Sequence, residues 1–238
     1  MALDYYDAEV YNIIDESPTV KRFQLIFNEL DKFDFIAGQY VKVDMPIDDK
    51  KTYRQYSISS APNNDNKIEL LIVYNPVGKG TNYLFKDVKV GTNLKVSKAL
   101  GRFVLPESSE KDICFICTGV GLAPFRSMYL DVLNNNKNFK TLNLIFGTRT
   151  EADLLYREEL EELNKKYDNF NYFPVLSRSK ETWKGKKGYV HQIYQDLYKD
   201  GHEAQFYLCG WDAMITEAKN NLKEIGYTRR DILFEKYD

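Results

Sequence analysis

Asp112-Ile113-Cys114-Phe115-Ile116-Cys117-Thr118-Gly119-Val120-Gly121-Leu122-Ala123-Pro124 is the stretch on which the fold turns. Residues 113–117 are apolar without interruption, too continuous for a sheet with one wet face, so 112–117 reads as a buried parallel strand. Gly119-Val120-Gly121 then turns the chain into a helix over 123–133. Two glycines let a backbone approach a pyrophosphate closely. The third glycine of the usual dinucleotide fingerprint is missing, and Pro124 stands in its place. Proline suits the first turn of a helix, where its absent N–H has no partner to lose. Judged on this pattern alone, a bound dinucleotide and an empty loop are equal readings.

Downstream the same alternation repeats. Apolar runs at 142–146, 172–176, 206–209 and 232–234 are separated by helical patterns at 152–167, 190–198 and 213–224. Strand–helix alternation of this kind predicts a doubly wound parallel sheet. Upstream of residue 107 the chain has another character. Short runs at 20–27, 39–43, 53–59, 68–74 and 93–98 end in Gly, Asn and Pro, which predicts a small antiparallel barrel. One short helix, from 80 to about 85, interrupts it. The polar link at 106–110 marks the boundary, so the expected domains are 1–106 and 107–238. No internal repeat is present.

Composition narrows the function. With 33 basic and 35 acidic residues, formal net charge -2, no global field argues for nucleic acid or an anionic membrane. Eighteen tyrosines and 14 phenylalanines speak against disorder. No apolar stretch reaches the ~20 residues of a membrane helix. Met1 to Asp7 carries no basic patch leading into an apolar run, so no secretory signal is expected. Three cysteines, an odd number, suit a reducing cytoplasm rather than a disulfide framework. Cys114 and Cys117 have a Cys-x-x-Cys spacing, but residues three apart on a strand face opposite ways, so both are assigned to the core and no metal is expected. The expectation is a soluble cytoplasmic protein, monomer or weak dimer.

The barrel holds Arg54-Gln55-Tyr56-Ser57. Arg54 and Tyr56 share one face of a strand because the side-chain period is two. A planar guanidinium suits a diphosphate, and a tyrosine ring covers a planar cofactor while its hydroxyl reaches a polar edge. Ser57, at the strand end, is placed to meet the cofactor edge. Gly78-Lys79-Gly80-Thr81 precedes the short helix, where free amides and the dipole favour an anion. Each of these alone also fits an ordinary strand or turn.

In the second half, candidate residues lie at strand ends, where open α/β sheets collect ligands. The second strand ends Phe146-Gly147-Thr148-Arg149 and the third Leu176-Ser177-Arg178, followed by Lys180, Lys184, Lys186 and Lys187. A dinucleotide without a 2′-phosphate meets an acid near here, and one with it meets arginine. The basic residues favour NADPH, against which stand Glu151 and Asp153 beside Arg149 and the alternative of a solvated basic loop. Tyr207-Leu208-Cys209-Gly210 ends the fourth strand where a nicotinamide would arrive, although a lone cysteine there also fits a small buried hydrophobe.

Taken in order, these residues resemble the ferredoxin–NADP reductase superfamily over nearly the whole length. Phe35-Ile36-Ala37-Gly38-Gln39-Tyr40 is similar to its Phe-x-x-Gly-Gln-Tyr strand, Arg54 to Ser57 to Arg-x-Tyr-Ser, and Gly78 to Thr81 to Gly-x-x-Ser/Thr. Thr118 to Pro124 resembles Thr-Gly-x-Gly-x-Ala-Pro, which accounts for the proline. Leu154-Leu155-Tyr156, Cys209-Gly210-Trp211-Asp212-Ala213-Met214 and Glu235-Lys236-Tyr237 resemble its later signatures. Asp238 follows where some relatives end on the aromatic, and the Glu-Lys-aromatic ending is shared with reductases that feed oxygenases.

The resemblance implies a six-stranded flavin-binding barrel followed by an NAD(P)-binding domain. It implies FAD, with NADP(H) as the nicotinamide partner and NAD(H) as the alternative. Arg54 would hold the flavin diphosphate, Tyr56 would pack on the isoalloxazine, and Ser57 would bond its reactive nitrogen. Gln55, Ile72, Tyr74, Gly78, Lys79, Gly80 and Thr81 complete the implied flavin set. Thr118, Gly119, Gly121, Pro124, Arg149, Ser177, Arg178 and Gly210 form the dinucleotide set. Cys209 would lie against the nicotinamide, Glu235 would relay protons, and Tyr237 would shield the flavin until nicotinamide displaces it. The implied activity is hydride exchange with NADPH and single-electron exchange with ferredoxin or flavodoxin. The alternatives are a reductase for an oxygenase, free flavin or quinone, and a non-catalytic flavin-binding subunit. Three cysteines cannot supply the four of a plant-type iron–sulfur cluster, so a separate electron carrier is expected. Lys50, Lys51, Lys79 and Lys86 are a candidate docking patch for an acidic carrier, or merely solvated lysines.

Overall fold

A computed structural model describes residues 4–47 and 50–237, with Lys50 and Lys51 described in backbone only. Asp238, Met1 to Leu3, and the side chains of Lys50 and Lys51 therefore lie outside the described residues. The chain divides into two compact units, Met1–Leu105 with Ala123–Asn134, and Pro106–Leu122 with Asn135–Asp238.

The first unit contains strands β1 (Tyr5–Ser17), β2 (Val20–Ile26), β3 (Tyr40–Ile47), β4 (Lys50–Ser57), β5 (Lys67–Val73) and β6 (Asn93–Ser97), with helix α1 (Lys79–Lys86) between the last two. They pair antiparallel in the order β4-β3-β6-β1-β2-β5. A bridge from Ile58, just past β4, to Leu70 of β5 joins the two ends of that order, making a barrel. Inward residues Ala8, Val10, Phe23, Leu25, Val41 and Val43 fill its core. β1 was not singled out by the apolar pattern. Its alternation holds over Ala8 and Val10 and then shifts register between Val10 and Asn12, where a bulge adds a residue and breaks the period.

Most of α2 (Leu122–Asn134) groups with this barrel. Gly38, at φ +99, makes the approach feasible, because a Cβ there would overlap the Phe103 carbonyl oxygen and the Met128 methyl. Phe125 of α2 packs on Phe103 with ring centroids 5.9 Å apart.

The second unit is a parallel sheet of β7 (Ser109–Thr118), β8 (Phe139–Thr148), β9 (Phe170–Leu176), β10 (Lys186–Lys187), β11 (Ala204–Gly210) and β12 (Ile232–Lys236). The order is β10-β9-β8-β7-β11-β12, so the winding reverses at β7. The crevice at such a reversal, outside the carboxyl ends, is where these sheets bind ligands. Helices α3 (Arg157–Lys166), α4 (Val190–Leu197) and α5 (Asp212–Glu224) complete the unit.

One expected helix starts late. The pattern at 152–167 predicts a continuous helix, but α3 begins only at Arg157. Asp153 folds back to accept from the Thr150 N–H at 3.0 Å and hydroxyl at 2.7 Å, closing a single 3-10 turn over Glu151–Asp153. Leu154, Leu155 and Tyr156 then turn inward, with Tyr156 left-handed at φ 48.

Candidate functional site

In the barrel, β4 carries Arg54 exposed and Tyr56 half-buried on one face, with Gln55 exposed on the other. Arg54 runs across the start of α1: a Cβ on Gly80 would lie 3.1 Å from its Cγ and 3.6 Å from its Nε. Its Nη1 donates to the Tyr53 carbonyl at 2.9 Å, and no carboxylate pairs with it among the described residues. Gly78, the N-cap of α1, brings no side chain to cap the first turn. A guanidinium beside a helix N-terminus is a donor set suited to a diphosphate. Burial pushes the Tyr56 phenol up to about 12, with the Arg54 charge pulling the other way, so it stays neutral and able to donate. Ser57 ends the strand at 5% exposure.

Other residues of the expected flavin set have structural duties. The Thr81 hydroxyl donates to the Asn75 carbonyl at 2.8 Å and accepts from the Asn75 N–H at 3.1 Å, closing the loop before α1. The Tyr74 hydroxyl donates to Asn82 Oδ1 at 3.0 Å. The Ile72 side chain packs in the barrel core. Lys79 and Lys86 are exposed near opposite ends of α1.

In the sheet, β7 runs into a 3-10 turn, Gly119–Gly121. Gly119 is left-handed at φ +54. Gly121 is held by contact: a Cβ there would overlap the Cys209 carbonyl oxygen and lie 2.9 Å from the Gly210 nitrogen. A Cβ on Gly210 would in turn overlap the Thr118 hydroxyl, which accepts from the Trp211 N–H at 3.4 Å. Backbone therefore packs on backbone at the carboxyl ends of β7 and β11. Pro124 is buried in the first turn of α2.

Cys209 stands level with Cys117 of β7 on one side and Glu235 of β12 on the other. It is fully buried, and burial first, then the Glu235 charge, pushes its thiol well up; a hydrogen bond with the Tyr237 side chain opposes this. The Tyr237 N–H donates to the Gly210 carbonyl at 3.0 Å. Burial pushes Glu235 up to about 7. Cys209, Glu235 and Tyr237 thus form one group, a neutral thiol beside a carboxyl that changes charge near neutral pH. Cys114 packs on the opposite side, in the core with α4 and α5.

Arg149 and Arg178 are joined at adjacent strand ends, where the Arg178 N–H donates to the Arg149 carbonyl at 2.8 Å and the Ser177 N–H to Thr148 at 3.0 Å. The acids that obscured Arg149 are engaged elsewhere. Glu151 pairs with Arg157 at 2.6 Å, and Asp153 with Thr150. Among the described residues no carboxylate pairs with Arg149 or Arg178, and Ser177, Lys180, Lys184, Lys186 and Lys187 are exposed. No three His, Cys, Asp or Glu side chains among the described residues gather as a metal site, and no described helix is long and apolar enough to cross a membrane.

Sequence reasoning passed over Glu69, Arg126 and Trp211. Glu69 is an acid inside the apolar run Ile68-Glu69-Leu70-Leu71-Ile72, which is the available signal for a paired buried charge. Trp211 is 66% exposed, directly after Gly210.

Two domain families match the chain. The oxidoreductase FAD-binding domain family matches residues 7–105, and the oxidoreductase NAD-binding domain family matches 115–220. The phenol hydroxylase P5 protein of Acinetobacter pittii is 35% identical over 98% of this chain and 65% of its own length. Ferredoxin–NADP reductase B of Sorangium cellulosum is 31% identical over 98% of both chains. The crystal structure of the Amycolatopsis cytochrome P450 reductase GcoB superposes with TM-score 0.87 at 26% identity, covering 99% of this chain and 71% of that one. The chain spans 59–65% of the length of the first oxygenase-related proteins it matches. It is an oxidoreductase with domains for FAD and a nicotinamide dinucleotide, and it belongs to the ferredoxin reductase-like flavoprotein superfamily.

Proposed function

We propose that this protein exchanges hydride with NADPH and passes single electrons to a separate carrier, ferredoxin or flavodoxin. Residues 1–106 hold FAD and 107–238 the nicotinamide dinucleotide. Bound FAD supplies the conversion between two-electron and one-electron chemistry. The chain supplies binding, orientation and proton handling. Arg54 and the first-turn amides of α1 hold the flavin diphosphate, Tyr56 covers the ring with a neutral phenol, and Ser57 donates at its edge. Thr118, Gly119 and Gly121 admit the dinucleotide pyrophosphate, with Arg149, Ser177 and Arg178 on the 2′-phosphate. Cys209 presents an uncharged thiol to the nicotinamide. Glu235 exchanges a proton near neutral pH, and Tyr237 fixes the thiol.

The observation that carries this reading is the level placement of Cys209 and Glu235 on adjacent strands, with the carboxyl at about 7. The carrier assignment draws on the ferredoxin–NADP reductase that matches end to end. A second reading, reductase of an oxygenase, draws on the relative named for phenol hydroxylase.

FAD-loaded protein mixed anaerobically with NADPH is expected to bleach. In Cys209→Ala the bleaching slows about tenfold while FAD stays bound; an unchanged rate removes Cys209 from the mechanism. Arg149→Ala with Arg178→Ala is expected to weaken NADPH about 10- to 100-fold, from lost charge-assisted bonds, and NADH little. Equal losses overturn the 2′-phosphate assignment. Electron delivery to ferredoxin, flavodoxin and an oxygenase component, compared side by side, separates the two carrier readings.

A further inference from the structure

The barrel contains a buried charge cluster that lies outside the expected flavin and nicotinamide residues. Glu69 of β5 is 5% exposed, and its two oxygens are reached from several elements. Gln24 of β2 donates to Oε2 at 2.7 Å, and Arg22 of β2 lies 3.8 Å from the same oxygen. Arg126 of α2 approaches Oε1 at 3.2 Å, with the two side chains 12% and 7% exposed. Arg126 also donates through Nη1 to the carbonyl of Ser59 at 3.0 Å.

Ser59 is the point of interest. It lies two residues past Ser57, is fully buried, and is fastened at every polar group. Its N–H donates to the Glu69 carbonyl at 2.8 Å, and its hydroxyl to that carbonyl at 3.0 Å. Ser60 accepts from the Glu69 N–H at 3.0 Å. Closing the barrel at Ile58 and Leu70 needs only the backbone bonds. The guanidinium adds a side-chain clamp from a different element, holding the carbonyl of Ser59 and the carboxylate beneath it with one planar group.

We propose that Arg126, held by Glu69, is a positioning residue for the flavin chemistry: it fixes the segment leaving β4 and thereby aims the Ser57 hydroxyl. This rests on the flavin-edge role proposed for Ser57. Positioning of this kind acts on the reacting geometry, where a shift of about 1 Å changes rates on the order of 100-fold. FAD affinity, carried by Arg54 and α1, changes much less. The conservative replacement is accommodated, because a cavity of about 210 Å³, lined by Tyr11, Gln24, Asn63, Lys67 and the pair itself, opens beside Arg126. Both acceptors are met from one nitrogen, Nη1. Lysine keeps the charge facing Glu69, but its stem ends one bond short of that nitrogen and lacks the planar group that fixes its direction.

The test is a double-mutant cycle on FAD-loaded protein, read as the limiting rate of flavin reduction by NADPH together with the NADPH dissociation constant. Arg126→Leu is expected to lower the limiting rate about tenfold and Arg126→Lys about threefold, with NADPH affinity held within about twofold. In the Ser57→Ala background neither replacement lowers the rate further. Arg126→Lys, which leaves no buried charge unpaired, decides the matter if Arg126→Leu does not fold. A wild-type rate in Arg126→Lys, or losses that multiply with Ser57→Ala, overturns the proposal. Failure of wild-type protein to bleach, or a wild-type rate in Ser57→Ala alone, overturns instead the flavin-edge reading beneath it.

Discussion

Two glycine turns that precede a helix, Gly78-Lys79-Gly80 in the barrel unit and Gly119-Val120-Gly121 in the sheet unit, need glycine for different reasons. At Gly80 the missing Cβ leaves room for a side chain, the stem of Arg54 at 3.1 Å. At Gly121 it leaves room for backbone, the carbonyl of Cys209 and the nitrogen of Gly210. A flexible side chain yields and a strand end does not. The barrel turn is therefore adjustable, whereas the sheet turn is a fixed spacing that also sets where Cys209 stands.

The sharpest way to break this contrast is Gly121→Ala. The added methyl drives the turn from β11, so we expect a loss of about 3 kcal/mol in stability or more, the range of severe steric substitutions. Reduction by NADPH should fall by about 100-fold, measured by stopped flow on whatever fraction folds. Gly119→Ala is the control in the same turn. Nothing lies within 4 Å of its added Cβ, so only the left-handed backbone penalty applies, about 1–2 kcal/mol. Equal effects at the two positions would show that the contact with Cys209 carries no weight.

Next in size is a difference in pH response. Beside the barrel turn stands a Tyr56 phenol at about 12, which does not change charge near neutrality. Beside the sheet turn stands Cys209 with Glu235 at about 7, raised by burial from 4.5. A carboxyl raised in the folded state binds its proton more tightly there than in the unfolded chain. The native state is thus favoured at low pH and loses stability as pH climbs from about 4.5 to about 7, by about 1–3 kcal/mol in all. Glu235→Gln should melt with the wild type near pH 4.5 and higher than it near pH 8, in thermal unfolding followed across pH. The pH dependence of flavin reduction near 7 should flatten in the same variant. A wild-type Tm profile in the variant would place the titration elsewhere.

The same contrast explains which features were legible in the sequence. Strands of the sheet were readable because burial on both faces writes itself as unbroken apolar runs, as at Ile113 to Cys117. Barrel strands were readable where alternation survived, and β1 was not, because its bulge after Val10 shifts the period. The false start of α3 has a local cause. Thr150 and Asp153 close their own turn, a choice between two hydrogen-bonding partners that apolar spacing does not record. At the site, the turns and strand ends were visible as motifs, since close backbone approach demands particular residue types. Whether Glu151 neutralises Arg149 was not visible, because Glu151 is claimed by Arg157 only once the chain has folded. Arg126 was invisible for the same reason: its partner Glu69 lies 57 residues away.

The mildest test returns to the barrel turn. Gly80→Ala sits inside the first turn of α1, where alanine stabilises a helix by roughly 0.5–1 kcal/mol relative to glycine. Set against that gain is the displacement of the Arg54 stem, which has solvent to move into. FAD-free protein should therefore melt at the wild-type temperature or slightly above it. With Arg54 on the diphosphate as proposed, FAD affinity should drop about tenfold, the loss of one charge-assisted hydrogen bond. Titration calorimetry and thermal unfolding of the same preparation would then move in opposite directions. If the FAD-free protein instead lost several kcal/mol, the Arg54 stem would be as immovable as the Cys209 carbonyl, and the two glycine turns would be one device used twice.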